Sequence, residues 1–166
     1  MTGITIREAT EQDRDAIRTV EEAAFGQAGE ARLVDLLVAA GDDVLELVAE
    51  RDGRPVGHVL FSRLMVETRN RSFAAVALAP LAVSPDVQGR GVGAALVEEA
   101  HRRLRGAGET LSVVLGDPAY YGRFGYAHER AKGFESDYQG EALQALSWGE
   151  APSAGRLVYA PAFLEL

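Results

Sequence analysis

The chain has 166 residues, 47% hydrophobic and 25% charged, which fits one globular domain whose core needs no metal or disulfide staple. It contains no cysteine, which excludes a disulfide framework, a thiolate-ligated metal and a cysteine nucleophile. The net charge is −8, and residues 1–50 hold the whole excess with 4 Arg against 12 Asp or Glu; a nucleic-acid binder would want a basic stripe instead.

Two readings of the acidic first third stay open, a solvated surface that keeps the protein soluble and a field that attracts a cationic substrate such as an amine. The three histidines, His58, His101 and His128, match no metal-binding spacing, so no metal is expected. No run approaches the roughly 18 apolar residues of a membrane span. The N-terminus is polar and acidic and lacks the parts of a secretion signal. A soluble, cytoplasmic protein is the expectation.

In chain order, Ile4-Thr5-Ile6 alternates as a short strand. Thr10 and Asp13 resemble a capping box, and Ile17, Val20 and Ala24 predict a helix over 13–25 that Gly26 and Gly29 break. A second helix is predicted from Ala31, with Leu33, Leu36, Leu37 and Ala40 on one side and Gly41 as its stop. Strands are predicted at 44–50 and 56–64, joined by a turn at Asp52-Gly53. Another turn falls within 65–72. A long apolar strand over 73–83 is interrupted by Pro80, which demands an edge, a bulge or a parting of strands.

Residues 84–88 form a loop, and 91–105 are the clearest helix, with Val92, Leu96, Ala100 and Leu104 on one face. A buried strand follows at 111–115, then a short helical segment opened by Gly116-Asp117-Pro118 and running through Phe124. The tail is less regular, with a last strand at 156–160. The order β-α-α-β-β-β-α-β-α-β describes a single mixed α/β (α+β) domain over residues 1–166.

The chemistry concentrates in Leu81-Ala82-Val83-Ser84-Pro85-Asp86-Val87-Gln88-Gly89-Arg90-Gly91-Val92-Gly93-Ala94. A strand runs into a loop, and the loop opens a helix. Glycines there let the backbone approach an anion, and free amides plus the helix dipole favour a phosphate. Arg90 would add a charge-assisted contact. The bland alternative is a tight turn that uses glycine for its conformation alone. Gly89-x-Gly91-x-x-Ala94 also satisfies the dinucleotide pattern of oxidoreductases. Context opposes that reading, because residues 84–88 separate the strand from the first glycine and the chain lacks room for a second α/β half.

Gln88-x-x-Gly91-x-Gly93, preceded by Leu-x-Val-x-Pro, resembles the acetyl-CoA signature of the GNAT superfamily of acyltransferases. The stretch Val113-Val114-Leu115-Gly116-Asp117-Pro118-Ala119-Tyr120-Tyr121-Gly122-Arg123-Phe124-Gly125-Tyr126 is similar to that family's second landmark. The resemblance covers residues 1–130 in element order and 78–126 in motif detail. It implies a central mixed, mostly antiparallel sheet flanked by helices, with a splay or bulge near Pro80.

It further implies acetyl-CoA as cosubstrate. Leu81, Ala82 and Val83 would meet the pantetheine arm. Gln88 belongs to the implied cofactor-binding set, and the amides of Gly89, Arg90, Gly91, Val92, Gly93 and Ala94 would hold the pyrophosphate. Tyr121 matches the residue that protonates the departing thiolate, whereas Tyr120 reads as packing. Asp117-Pro118 stands where many members have an Asn that contacts pantetheine, so that contact is in doubt. Arg123 reads as a surface arginine or a phosphate contact.

The implied reaction is direct attack by an amine, from a small molecule or a peptide, on the thioester. Glu22, Glu30, His58 or a water is the candidate base. The acceptor pocket would come from the first two helices and residues 132–151, with Phe134, Tyr138 and Trp148 as candidate lining. A homodimer stays open. A non-catalytic acyl-CoA-binding module and, more weakly, a nucleotide-dependent oxidoreductase are the competing functions.

Overall fold

The strand runs that dominate the middle of the sequence are apolar on both faces, and that sets the layers. The computed structural model describes residues 3–165. β1 (Ile4–Glu8), β2 (Asp43–Arg51), β3 (Arg54–Glu67), β4 (Ser72–Val83), β5 (Leu111–Leu115) and β7 (Leu143–Ser147) form one sheet in the order β1-β2-β3-β4-β5-β7. The pair β4/β5 is parallel and its neighbours on this path are antiparallel. β8 (Gly155–Val158) pairs with the far end of β3 and with the two-residue β6 (Phe134–Glu135).

On β3, Val59 and Phe61 point to one face of the sheet and His58 and Leu60 to the other, as a period of two requires. The first face packs against α3 (Val92–Gly106) through Leu96, Val97, Ala100 and Leu104. The second face is covered by α1 (Arg14–Phe25) and α2 (Gly29–Ala39) through Ile17, Leu33, Val34 and Leu37. Burial on both faces accounts for the almost continuous apolar run along β3.

Several boundaries differ from the sequence reading. α1 begins at Arg14 because residues Glu11–Asp13 form a 3-10 turn, held where Asp13 accepts the Thr10 N–H at 2.8 Å and chelates the Arg7 guanidinium. α2 begins two residues early, at Gly29. β3 extends past Leu64 to Glu67, since β8 supplies a partner beyond the end of β2. The last strand ends at Val158, and residues Pro161–Glu165 form a 3-10 segment. β7, α5 (His128–Ala131) and β6 were hidden in the tail that read as irregular.

The interruption at Pro80 is a bulge. Phe61 pairs with Leu78 and Val59 with Leu81, so Ala79 and Pro80 together face Leu60. The Ala79–Pro80 peptide is cis. β5 pairs with β4 only over Val76–Leu78 in β4 numbering, so beyond the bulge β4 and β5 part.

Candidate active site

The parting of β4 and β5 opens two adjoining clefts. The first, about 450 Å³, runs between Leu81–Val83 in sequence and the start of α3. Gly89 and Gly91 sit in the left-handed region at φ 75° and 83°, where other residues pay for the Cβ. They turn the loop so that α3 starts facing the cleft. The first helical bond runs from the Ala95 N–H to the Gly91 carbonyl at 3.0 Å, which leaves the amides of Val92, Gly93 and Ala94 without helical partners. Free amides at a helix N-terminus beside an open strand edge fit a pyrophosphate joined to an extended amide-bearing arm.

Each predicted cofactor residue except Arg90 lines this cleft. Arg90 is exposed and does not line it. Gln88 spends its side-chain amide on the Val83 carbonyl at 2.8 Å, which ties the loop to the end of β4. The Val92 side chain is buried in the core, so only its backbone faces the cleft. Tyr120 and Arg123 line it as well. The Tyr120 hydroxyl lies so close to Gly93 that a Cβ there would stand 2.6 Å from it, and Arg123 lies over the Tyr120 ring at 5.3 Å. Asp117 caps α4 (Pro118–Tyr121) by accepting the Ala119 N–H at 2.9 Å, a structural use for the residue that replaces the expected Asn.

The second cleft, about 480 Å³, begins at the bulge and opens outward. The two clefts share Phe25 and Leu81. Tyr121, the neighbour of Tyr120, lines this one, its ring packed against Gly116 and edge-on to Tyr120 at 5.0 Å. Burial, with Tyr120 beside it, pushes the Tyr121 phenol up to about 12, so it holds its proton across the physiological range. Of the three aromatics expected here, Tyr138 lines the cleft, Phe134 is core, and Trp148 packs edge-on against His101 at 5.0 Å. Tyr159 and Phe163, from the tail, complete the wall.

The candidate bases separate clearly. Glu22 is exposed and lines neither cleft. Glu30 lines the second, and its carboxylate accepts from the Gln27 amide at 3.2 and 3.4 Å. His58 is sealed in the interior, with Nδ1 2.6 Å from Glu21 and Nε2 2.7 Å from Glu46, which also pairs with Arg14.

Burial lowers the His58 pKa, but the hydrogen bonds and charges of the two carboxylates outweigh it and leave the imidazole raised. Burial likewise raises Glu46, yet His58 and Arg14 bring it below its ordinary value. For Glu21 burial wins over His58, and its pKa is raised. This cluster fastens α1 to β2 and β3. Glu21, Glu46 and Arg14 went unnoticed in the sequence, although a histidine inside an apolar strand already demands partners.

Among the described residues, no group of His, Cys, Asp or Glu is arranged to hold a metal ion, and no helix is long and apolar enough to cross a membrane.

Comparison with known proteins agrees with this architecture. The acetyltransferase (GNAT) domain family matches residues 5–128. The uncharacterized N-acetyltransferase YjhQ of Escherichia coli K12 is 40% identical over 116 residues, which are 69% of this chain and 64% of YjhQ. The uncharacterized N-acetyltransferase YhbS of the same strain is 37% identical over 135 residues, 76% of this chain and 80% of YhbS. The chain thus spans just under two thirds of the length of the first of these relatives.

A GNAT family acetyltransferase from Brucella melitensis, solved in complex with acetyl-CoA, superposes with a TM-score of 0.82 at 36% identity over 96% of this chain and 97% of its own. YhbS from E. coli, solved in complex with CoA, gives 0.88 at 30% identity over 97% and 92%. The chain belongs to the GNAT acetyltransferase family.

Proposed function

We propose that the protein is an N-acetyltransferase that moves an acetyl group from acetyl-CoA to an amine by direct attack within a ternary complex. The observation that carries this is the meeting of the two clefts at the β4 bulge, one rich in free amides and the other bearing Tyr121 and Glu30. The complexes of the two structural relatives with acetyl-CoA and CoA support the choice of donor.

Acetyl-CoA supplies an activated acyl carbon in thioester linkage. The amides from Gly89 to Ala94 hold the pyrophosphate, and the free edge of β4 at Leu81, Ala82 and Val83 takes the pantetheine arm. Glu30 accepts the proton that the acceptor nitrogen must lose, while the nitrogen forms its bond to carbon and the carbon–sulfur bond breaks. The electron pair leaves on sulfur, and the Tyr121 hydroxyl faces it. A thiol near 8.5 is a stronger acid than a phenol near 12, so full transfer runs uphill by roughly 5 kcal/mol. Tyr121 therefore acts first as a hydrogen-bond donor, and its proton crosses as charge collects on the sulfur. Both residues reset by exchange with solvent.

Thermal unfolding with acetyl-CoA, NAD, NADP or ATP tests the donor. A ligand at about 100 times its Kd adds roughly 2.7 kcal/mol to stability. Acetyl-CoA alone is expected to raise Tm, and amines are then expected to trigger CoA release. A shift with NAD instead would overturn the reading of the glycine loop.

A further inference from the structure

The second cleft has a chemistry of its own. Four large apolar side chains are exposed among the described residues, and three of them, Phe25 at 42%, Leu115 at 49% and Tyr138 at 40%, border this cleft. Exposed apolar surface gathered in one place marks a binding surface. Leu33, Tyr159 and Phe163 continue the wall, and Tyr138, Tyr159 and Phe163 brace one another edge-on or tilted at 5.3 Å per pair. A wall of mutually packed aromatics is preorganised and suits a flat apolar body.

Against this wall stands one carboxylate. Glu30 is the single acidic residue lining the cleft among the described residues, and no Lys, Arg or His lines it. A polyamine or an aminoglycoside-like polycation would bring several ammonium groups to one carboxylate and an aromatic wall, leaving the rest unpaired on desolvation. A long acyl chain would fill apolar space but would set methylenes against Glu30. An apolar body with one amino group satisfies both halves of the lining. Phe25 and Leu81, shared with the acetyl-CoA cleft, place that amino group towards the bulge where the acyl carbon would stand.

We propose that this cleft selects a monoamine carried on an aromatic or otherwise compact apolar body, the amino nitrogen meeting Glu30 and the body lying among Phe25, Leu33, Tyr138, Tyr159 and Phe163. The proposal rests on the transferase reading and narrows its acceptor. The bound ammonium first releases one proton to solvent; a second N–H proton goes to Glu30 as the C–N bond forms and the C–S bond breaks, and the sulfur takes the Tyr121 proton.

The probes are phenethylamine, its uncharged isostere 2-phenylethanol, spermidine and hexanoyl-CoA. Calorimetric titration into the CoA-saturated protein is expected to show phenethylamine binding at least tenfold more tightly than spermidine, and kcat/KM for acetyl transfer is expected to follow that order. Tyr138→Ala, on the rim and outside the acetyl-CoA cleft, should weaken phenethylamine at least fivefold while the Kd for acetyl-CoA stays within twofold. Glu30→Gln should abolish the preference for phenethylamine over 2-phenylethanol.

Equal or tighter binding of spermidine overturns the proposal, as does failure of phenethylamine to bind. Hexanoyl-CoA that binds tenfold more tightly than acetyl-CoA and excludes phenethylamine would assign the cleft to the acyl chain. If acetyl-CoA itself does not bind, the transferase reading falls; if it binds and phenethylamine shows no advantage, the acceptor class alone falls.

Discussion

Tyr120 and Tyr121 are adjacent on one turn of α4, about 100° apart around its axis, and that rotation sends them into different clefts. Tyr120 lines the first cleft beside Gly93, and Tyr121 lines the second beside Gly116. Tyr121→Phe keeps the ring and its packing and removes only the hydroxyl. We expect kcat to fall by about 10²-fold with the acetyl-CoA Kd unchanged, measured by CoA release and calorimetry; unchanged turnover would remove Tyr121 from the mechanism. Because burial holds this phenol near 12, its ionisation imposes no alkaline fall in rate below about pH 11.

Tyr121 was singled out by its place in the motif. Which cleft each tyrosine lines was not legible, since two tyrosines in tandem look alike until the neighbours of each ring are known. Glu22 and Glu30 pose the same problem, being acidic residues of α1 and of the first turn of α2, of which one lines the cleft.

At the scale of elements, the start of α3 is the part most open to direct perturbation. Gly91 caps the helix from the left-handed region. An alanine there costs about 1–2 kcal/mol or forces the loop to turn differently, which moves the amides that follow. Gly91→Ala is expected to weaken acetyl-CoA at least tenfold by calorimetry while the protein stays folded by circular dichroism. Retention of full affinity would show that the amides of α3 do not hold the donor.

This loop was legible because its glycines alternate at a strand-to-helix junction. β7 was not. Leu-Gln-Ala-Leu-Ser contains no β-branched or aromatic residue, so its local strand preference is weak, and its place beside β5 is set by the buried edge it completes. Its Gln144, buried, donates to the Gly116 and Ala142 carbonyls at 3.1 and 3.2 Å.

Across the whole molecule, the charge of the first third divides between structure and site. Asp13, Asp35, Glu46 and Glu50 are spent on Arg7, Arg14 and Arg18, and Glu30 is left to the cleft. The Glu21–His58–Glu46 cluster ties stability to pH. The folded His58 pKa lies above its ordinary 6.5, so its contribution is complete below about 6.5 and fades as pH rises through the folded value. Glu46 lies below its ordinary 4.5, so its contribution is present above about 4.5 and is lost as pH falls. Glu21 is raised from the same 4.5 and adds a cost that grows as pH climbs.

Unfolding above about pH 6.5 therefore releases protons, and the unfolding free energy should decline as pH rises above that point by up to about 1.4 kcal/mol per unit for each proton released. His58→Gln leaves two buried carboxylates without their shared cation, and we expect a loss of about 3–5 kcal/mol with a shallower pH slope in urea melts. A variant with wild-type stability and slope would refute the cluster's role.

The sequence by itself determined most of the elements up to Phe124 and the glycine loop that opens α3. Helix and strand periods, the glycine alternation and the proline in β4 are local facts, and local sterics and hydrogen bonding enforce them wherever the chain folds. Tertiary structure alone decided which of three candidate bases lines the second cleft, why His58 does not, and that Tyr159 and Phe163 from the tail line the same cleft as Phe25. Those outcomes depend on contacts between segments far apart in sequence, fixed by how two helices and a tail cover one face of a twisted sheet, and no local pattern in the sequence records them.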